Sequence, residues 1–369
     1  MRTYLGDLVL SKYLSSRKLD FLAILLLALT CVGFYWRILF GGAWMPSGGG
    51  DLVSFLWPTY TFAARSLRSG VLPLWNPYLY SGMPFAADNQ SGLFYPVNLL
   101  VFLLVPKLTY FVMELMSVAH VWWAGVGMYI LIRTMNARRV PAFAGALAWM
   151  FSEVFVIHFG NYNLIAVAAW LPLIFAMFRF SLSREAGEGW GGDLRCAFAA
   201  GALWGMASLA GHAQMMLFIG LWLGGYALFR TLSESPRHQD RKEKEIAFLE
   251  LRIHAQTARG ESRTRRPIRR VTDSARADSK LQTFASWRLM PLLLFAITAL
   301  VAFAFAALMI IPANEMARYT GRAGLDYEEA IQYSLPPAGL VGLVVPGLFG
   351  QAQAHGRLGC ASRWDMSAC

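Results

Sequence analysis

The amino-acid sequence predicts an all-α polytopic membrane protein, with about seven transmembrane helices and a large first extracytoplasmic loop. Three observations carry this. Of 369 residues, 56% are hydrophobic, and mean hydropathy is +0.43. Several apolar runs approach or exceed the roughly 20 residues a helix needs to cross a bilayer. Lys and Arg collect in clusters between those runs, and threading the chain puts every cluster on one face.

The net charge of +11 does not indicate nucleic acid. Fourteen of the 33 Lys/Arg lie between Arg237 and Arg288, interleaved with acids, in one connection between apolar segments. A basic connection of this kind is a cytoplasmic loop under the positive-inside rule, with lipid headgroups or a partner as the alternative ligand. Cys31, Cys196, Cys360 and Cys369 show no metal or disulfide spacing.

Residues 1–20 carry Arg2, Lys12, Arg17 and Lys18, which predicts a cytoplasmic N-terminus. A first helix over about 21–41 holds one charge, Arg37, and is too long for a signal-peptide core. The loop over 42–107 follows outside. Within it, Leu52–Arg68 suggests a helix, while Leu93–Val105 is too short to span and reads as an interfacial or re-entrant piece. A second helix over 108–133 returns to Arg133, Arg138 and Arg139, and a third over 140–158 leads out to the turn His158–Asn163. The fourth, 164–182, returns to Arg184. Residues 196–230 are one apolar run, about 52 Å long as a single helix, too long for tilt to absorb. The break Gly211-His-Ala-Gln214 divides it into helices five and six, completing a membrane module over 21–231. The basic loop 232–288 has a helical stretch at Lys242–Ala255. Helix seven (290–312) then opens an outer segment over 289–350, followed by an atypical tail over 351–369.

This threading delivers acids, bases and amides to the outer face from four segments. The first loop brings Asp51, Asp88, Asn89 and Gln90 with Arg65 and Arg68, and the turns bring His158, Asn161, Asn163, His212 and Gln214. After helix seven come Glu315, Arg318 and Arg322. Such a set describes a cleft with acid/base capacity and cations for a phosphate. Each residue also has a plainer reading. Asp51 follows three glycines and could simply cap the next helix, and Asp88-Asn-Gln could be an ordinary turn. His158 and His212 could be interfacial helix ends, and Arg65 and Arg68 could reach to headgroups. Trp57, Trp75 and Tyr95 read as an interfacial aromatic belt. Glu114, His120 and Glu153 are ionisable groups at membrane depth, where hydrogen-bonding and functional roles are both open. Phosphate-loop, zinc-helix and nucleophile-elbow motifs are absent from the sequence, as are the paired broken helices of a transporter.

An ordered series of motifs resembles the YfhO-type bacterial membrane proteins of the GT-C glycosyltransferase superfamily. The series runs Gly50-Asp51, Pro73-Leu-Trp-Asn-Pro77, Gly82-Met-Pro84, Asp88–Asn98, Gly125–Tyr129, His158–Asn163, Gly211–Gln214 and Pro312–Glu315 with Arg318 and Arg322. It closes with Ser334–Pro337 and Pro346–Gly350. The resemblance implies a multi-pass enzyme of the bacterial inner membrane that moves a sugar from a polyprenyl-phosphate carrier to an envelope polymer or protein, among membrane lipids and without nucleic acid. It puts Asp51 in the place of the catalytic base. Arg65, Arg318 and Arg322 become cations for the departing phosphate, and Asp88, Asn89, Gln90, His158, Asn161, His212, Gln214 and Glu315 become ligands for substrate. No cofactor is certain, a divalent metal ion being the candidate. Family members are considerably longer, and the ending GRLGCASRWDMSAC departs from the family, so a truncated or frameshifted reading frame is expected. A lipid-linked-sugar transporter or an inactive fragment is the alternative.

Overall fold

The computed structural model describes residues 2–45, 50–182, 191–233, 289–320 and Tyr327. The chain divides at Ala313 into two compact units, 1–313 and 314–369. The first unit opens with α1 (Arg2–Phe34) and the short α2 (Trp36–Leu39). A π-helical stretch, Leu52–Leu56, runs straight into α3 (Trp57–Arg68), and Pro58, which has no N–H to give to the preceding turn, falls at the junction between them. Two two-residue strands, β1 (Trp75–Asn76) and β2 (Met83–Pro84), pair antiparallel and are the chain's only described strands. A 3₁₀ turn at Asn89–Ser91 leads to α4 (Pro96–Leu104).

The bundle continues with α5 (Tyr110–Thr134), α6 (Arg139–Met150), α7 (Glu153–Val156), α8 (Tyr162–Ala168), α9 (Leu171–Ser181), α10 (Gly191–Ser208) and α11 (Ala213–Ser233). The last helix, α12 (Met290–Ala317), crosses the unit boundary. Among the described residues, five helical runs are long and apolar enough to cross a membrane: Tyr110–Thr134, Arg139–Val156, Tyr162–Ser181, Ala213–Ser233 and Met290–Ala317. The chain is therefore an all-α membrane protein.

Seven spans were expected, and two of the seven do not reach that measure. The segment at 21–41 is helical, but its helix begins at Arg2 and is interrupted at Tyr35. Helix five is α10, whose first turns carry Asp193 and Arg195. The predicted third and fourth helices each break once, at Phe151-Ser152 and at Ala169-Trp170, the second break preparing Pro172 at the start of α9. The hairpin tip expected at Gly211–Gln214 separates α10 from α11. Residues 234–288, including the helix expected at Lys242–Ala255, and the tail 351–369 lie outside the described residues.

Small residues bring α10 against α12. Ala197, Gly201 and Gly205 recur every fourth residue on one face of α10, and the Thr298 hydroxyl donates to the Ala197 carbonyl at 3.2 Å. A methyl at Gly201 would stand 2.6 Å from the Thr298 carbonyl, and one at Gly205 2.6 Å from that of Ala302. Without side chains in the way the two backbones approach closely, the usual means of helix association in lipid, where apolar surface alone gives little drive.

Candidate functional site

The motif Asp88–Asn98 is built as a capped turn followed by a helix that plugs into the bundle. Asp88 has extended backbone, and its Oδ1 accepts the Gln90 N–H at 3.0 Å, closing the 3₁₀ turn. Gly92 ends that turn at φ +54, where a Cβ would stand 2.6 Å from Asn98 Nδ2 and 2.7 Å from the Tyr60 hydroxyl. The turn reading of Asp88-Asn-Gln is therefore what the backbone adopts, and it leaves Asp88 Oδ2 without a described partner. Burial pushes the Asp88 carboxyl above the usual carboxylate range, an effect the Gln90 N–H partly offsets.

Behind the turn lies a closed polar network with one direction of donation. The Tyr162 hydroxyl donates to Asn98 Oδ1 at 2.8 Å, and Asn98 Nδ2 donates to the Gly92 carbonyl at 3.0 Å and to the Tyr60 oxygen at 3.1 Å. Tyr60 donates to Asn163 Oδ1 at 2.8 Å, and Asn163 Nδ2 donates to the Gln90 carbonyl at 2.8 Å. All four of these side chains are buried. A second chain adjoins it. His120 Nδ1 bonds the Met116 carbonyl at 2.8 Å, which requires its proton there and leaves Nε2 to accept from the Tyr95 hydroxyl at 2.9 Å. Tyr95 in turn accepts Trp170 Nε1–H at 2.8 Å. Tyr95 therefore belongs to the core and not to an aromatic belt. His120 and Tyr162 meet edge-on at 5.2 Å, joining the chains.

Two of the turns singled out in the sequence converge on the same place. Gly211, at φ +91, presses its Cα against the Asn89 carbonyl so closely that no Cβ fits. His212 follows it, and its Nδ1 accepts the Met215 N–H at 3.2 Å, so the neutral ring carries its proton on Nε2. Burial, and then the neighbouring His158, pull the His212 pKa below the ordinary histidine value. Asn161 caps α8 through Oδ1, which accepts the Leu164 N–H at 3.3 Å. Asp88, Asn89, Gln90, Asn163 and His212, with His158 beside His212, are thus gathered from three separate segments. Gln214 is exposed on the first turn of α11.

The remaining site residues make no described hydrogen bond with this group. Asp51 is exposed in right-handed helical backbone at the start of the π-helical stretch and makes no capping bond, so the cap reading does not hold. Its carboxylate has no hydrogen-bond partner among the described residues. Arg65 lies fourteen residues further along the same continuous helix, about 20 Å away. That separation is too great for Asp51 and Arg65 to serve one reacting carbon, so the phosphate role expected of Arg65 beside Asp51 is not supported. Arg68 donates to the Val105 carbonyl. Glu315 and Arg318 are exposed at the end of α12 in the second unit, and Arg322 lies outside the described residues. No cluster of three or more His, Cys, Asp or Glu side chains that could hold a metal ion occurs among the described residues.

Sequence reasoning missed Tyr60 and Asn98, though Asn98 closes the Tyr-Pro-Val-Asn motif and Tyr60 sits on the apolar face of α3. It also missed Asp20, which accepts from Tyr129 at 2.7 Å, Arg133 at 3.2 Å and Arg139 at 2.9 Å. Glu114 is a backbone anchor, accepting the Met45 N–H at 2.8 Å. Glu153 is exposed in the first turn of α7. Compared with known protein families, with curated proteins and with solved structures, the chain matches none.

Proposed function

We propose that the chain is the membrane module of a GT-C-type glycosyltransferase, moving a sugar from a polyprenyl-phosphate donor to an envelope acceptor outside the cytoplasm. The observation that supports this most is the convergence of Asp88–Gln90, His158 and His212, with Asn163 holding the Gln90 carbonyl from behind. These are amides, imidazoles and a carboxyl, the groups that bind sugar hydroxyls, assembled on a rigid neutral network. Asp51 is the proposed base. It is solvent-exposed and uncommitted to any described hydrogen bond, as a proton acceptor that must meet an incoming hydroxyl should be.

In the proposed step an acceptor hydroxyl gives its proton to the Asp51 carboxylate. The oxygen bonds to the anomeric carbon while the bond from that carbon to the lipid phosphate breaks, and polyprenyl phosphate leaves with the electron pair. Asp88 Oδ2 and His212 Nε2–H hold sugar or acceptor hydroxyls. Membranes carrying the full chain, incubated with a labelled polyprenyl-phosphate sugar, test the reading. Asp51→Asn should lower transfer by about 10²- to 10⁴-fold with insertion unchanged. Full activity in that variant removes Asp51 from the base role. Binding and translocation without transfer to any acceptor would favour the non-enzymatic transporter.

A further inference from the structure

The ends of α3 and α4 form a surface that the reaction does not use. Arg68, on the last turn of α3, donates to the Val105 carbonyl just beyond α4, and Trp57 Nε1, on its first turn, donates to the Leu108 carbonyl at 3.0 Å. Both ends of a twelve-residue helix are therefore tied to carbonyls three residues apart, immediately before Thr109 caps α5. Helix α3 consequently lies across the entry to a membrane-capable helix.

Helix α4 packs beside it, with Phe102 edge-on to Tyr60 at 5.2 Å. Its inner face is Asn98 and Phe102. Its outer face is leucine, with Leu100 59%, Leu103 53% and Leu104 73% exposed. Three cations of this pair of helices and the turn that follows, Arg65, Arg68 and Lys107, are exposed, and Arg68 is held at Val105, next to Leu104. Arg65 and Lys107 make no side-chain hydrogen bond with any described residue, and Arg68 has further N–H groups beyond the one it gives to Val105. The apolar surface continues into α5, where Phe111 and Leu115 are 45% and 46% exposed.

We infer that this pair of helix ends is a lipid-binding wedge. The α4 leucines enter the acyl region beside α5, and Arg65, Arg68 and Lys107 hold anionic phospholipid headgroups at the surface. Charge complementarity selects lipid as the occupant. Three exposed cations close to exposed leucines, on a segment that leads within six residues into a membrane-capable helix, suit phosphate diesters and their acyl chains. In this assignment Arg65 serves the bilayer and not the leaving group.

Spin labels at Leu103→Cys and Leu115→Cys, in a cysteine-free full chain reconstituted in nanodiscs, test the immersion. Both labels should be more accessible to oxygen than to a water-soluble nickel chelate. A Leu103 label that behaves as water-exposed overturns the wedge, and dipolar broadening between labels overturns it in favour of a second copy of the chain. The headgroup half is read by lipid retention from mixed phosphatidylglycerol and phosphatidylcholine. Arg65→Gln and Lys107→Gln, which disturb no described hydrogen bond, should each lower the preference for phosphatidylglycerol by about fivefold. An unchanged preference in the double variant overturns recognition by these cations. Both readouts are independent of sugar transfer.

Discussion

The middle of α5 and its C-terminal end solve the same problem in opposite ways. Around His120 a neutral, mostly buried hydrogen-bonded network runs through Tyr95, Trp170, Tyr162, Asn98, Tyr60 and Asn163, with Thr59 Oγ1 and Trp123 Nε1 buried beside it without a partner. Thirteen residues on, about 20 Å along the axis, Arg133 and Arg139 meet Asp20, and all three side chains keep about a third of their surface in solvent. Desolvating an ion costs several kcal/mol, whereas an amide or phenol can be buried at little cost once hydrogen-bonded. The chain therefore places neutral pairs in the interior and full charges where water still reaches them. Rigidity follows the same division. The neutral network fixes the Asp88–Asn98 segment to α3, α5 and α8, while the ionic cluster ties α1 to α5 and α6 through one shared carboxylate.

Breaking the neutral network should have the largest effect. Asn98→Ala removes an acceptor from Tyr162 and a donor from Gly92, each a buried group left unpaired. The expected loss is about 3 kcal/mol, seen as a fall in the thermal unfolding midpoint in detergent. A change under about 0.5 kcal/mol would mean that the network holds nothing in place. Gly211→Ala is next, because the positive φ and the contact with the Asn89 carbonyl both oppose a Cβ. A cost of about 2 kcal/mol is expected, with faster proteolysis at the α10–α11 tip as an independent sign.

Asp20→Asn should cost at most about 1 kcal/mol, as partly exposed ion pairs contribute little. Although burial opposes it, hydrogen bonds from Tyr129, Arg139 and Arg133 hold the Asp20 carboxyl below its ordinary value. Its contribution is thus present above the ordinary carboxylate range and is lost as pH falls through the folded value. A larger loss than for Asn98→Ala would reverse the comparison.

The smallest effects are at the candidate site. His212 has a lowered pKa, so its charged form is disfavoured in the fold, and stability should decline as pH falls below about 6.5. His212→Gln should flatten that part of the pH profile of the unfolding midpoint. Asp88 has the opposite sign to an ordinary paired carboxylate. Its raised value means that ionisation works against the fold, so its contribution is lost as pH rises through the folded value. Asp88→Asn keeps a capping oxygen and should leave the midpoint at neutral pH unchanged or slightly higher.

Much of the fold was legible in local pattern. Apolar runs of bilayer length, the glycine-marked tip at Gly211 and the helical stretch after Asp51 are near-neighbour properties, read from composition and period. The breaks at Phe151-Ser152 and Ala169-Trp170 were not read, because apolar residues continue through the second, only Ser152 and Glu153 interrupt the first, and hydropathy does not register a change of helix axis. The candidate site was legible as a collection of polar residues in separate turns, but not as an arrangement. Asp51 and Asp88 looked alike in sequence as acids of one loop. In the fold one stands exposed without a described partner, and the other caps a turn against the Gly211 tip.

What the sequence determined by itself was the class of molecule, because hydropathy and helical period act locally. Only the tertiary structure decided which polar groups meet. Asn98 and Tyr162 are 64 residues apart, Tyr60 and Asn163 are 103, and Asp20 and Arg139 are 119. A hydrogen bond requires atoms about 3 Å apart in a suitable direction, and nothing in the spacing of residues along a chain specifies that until the helices have packed.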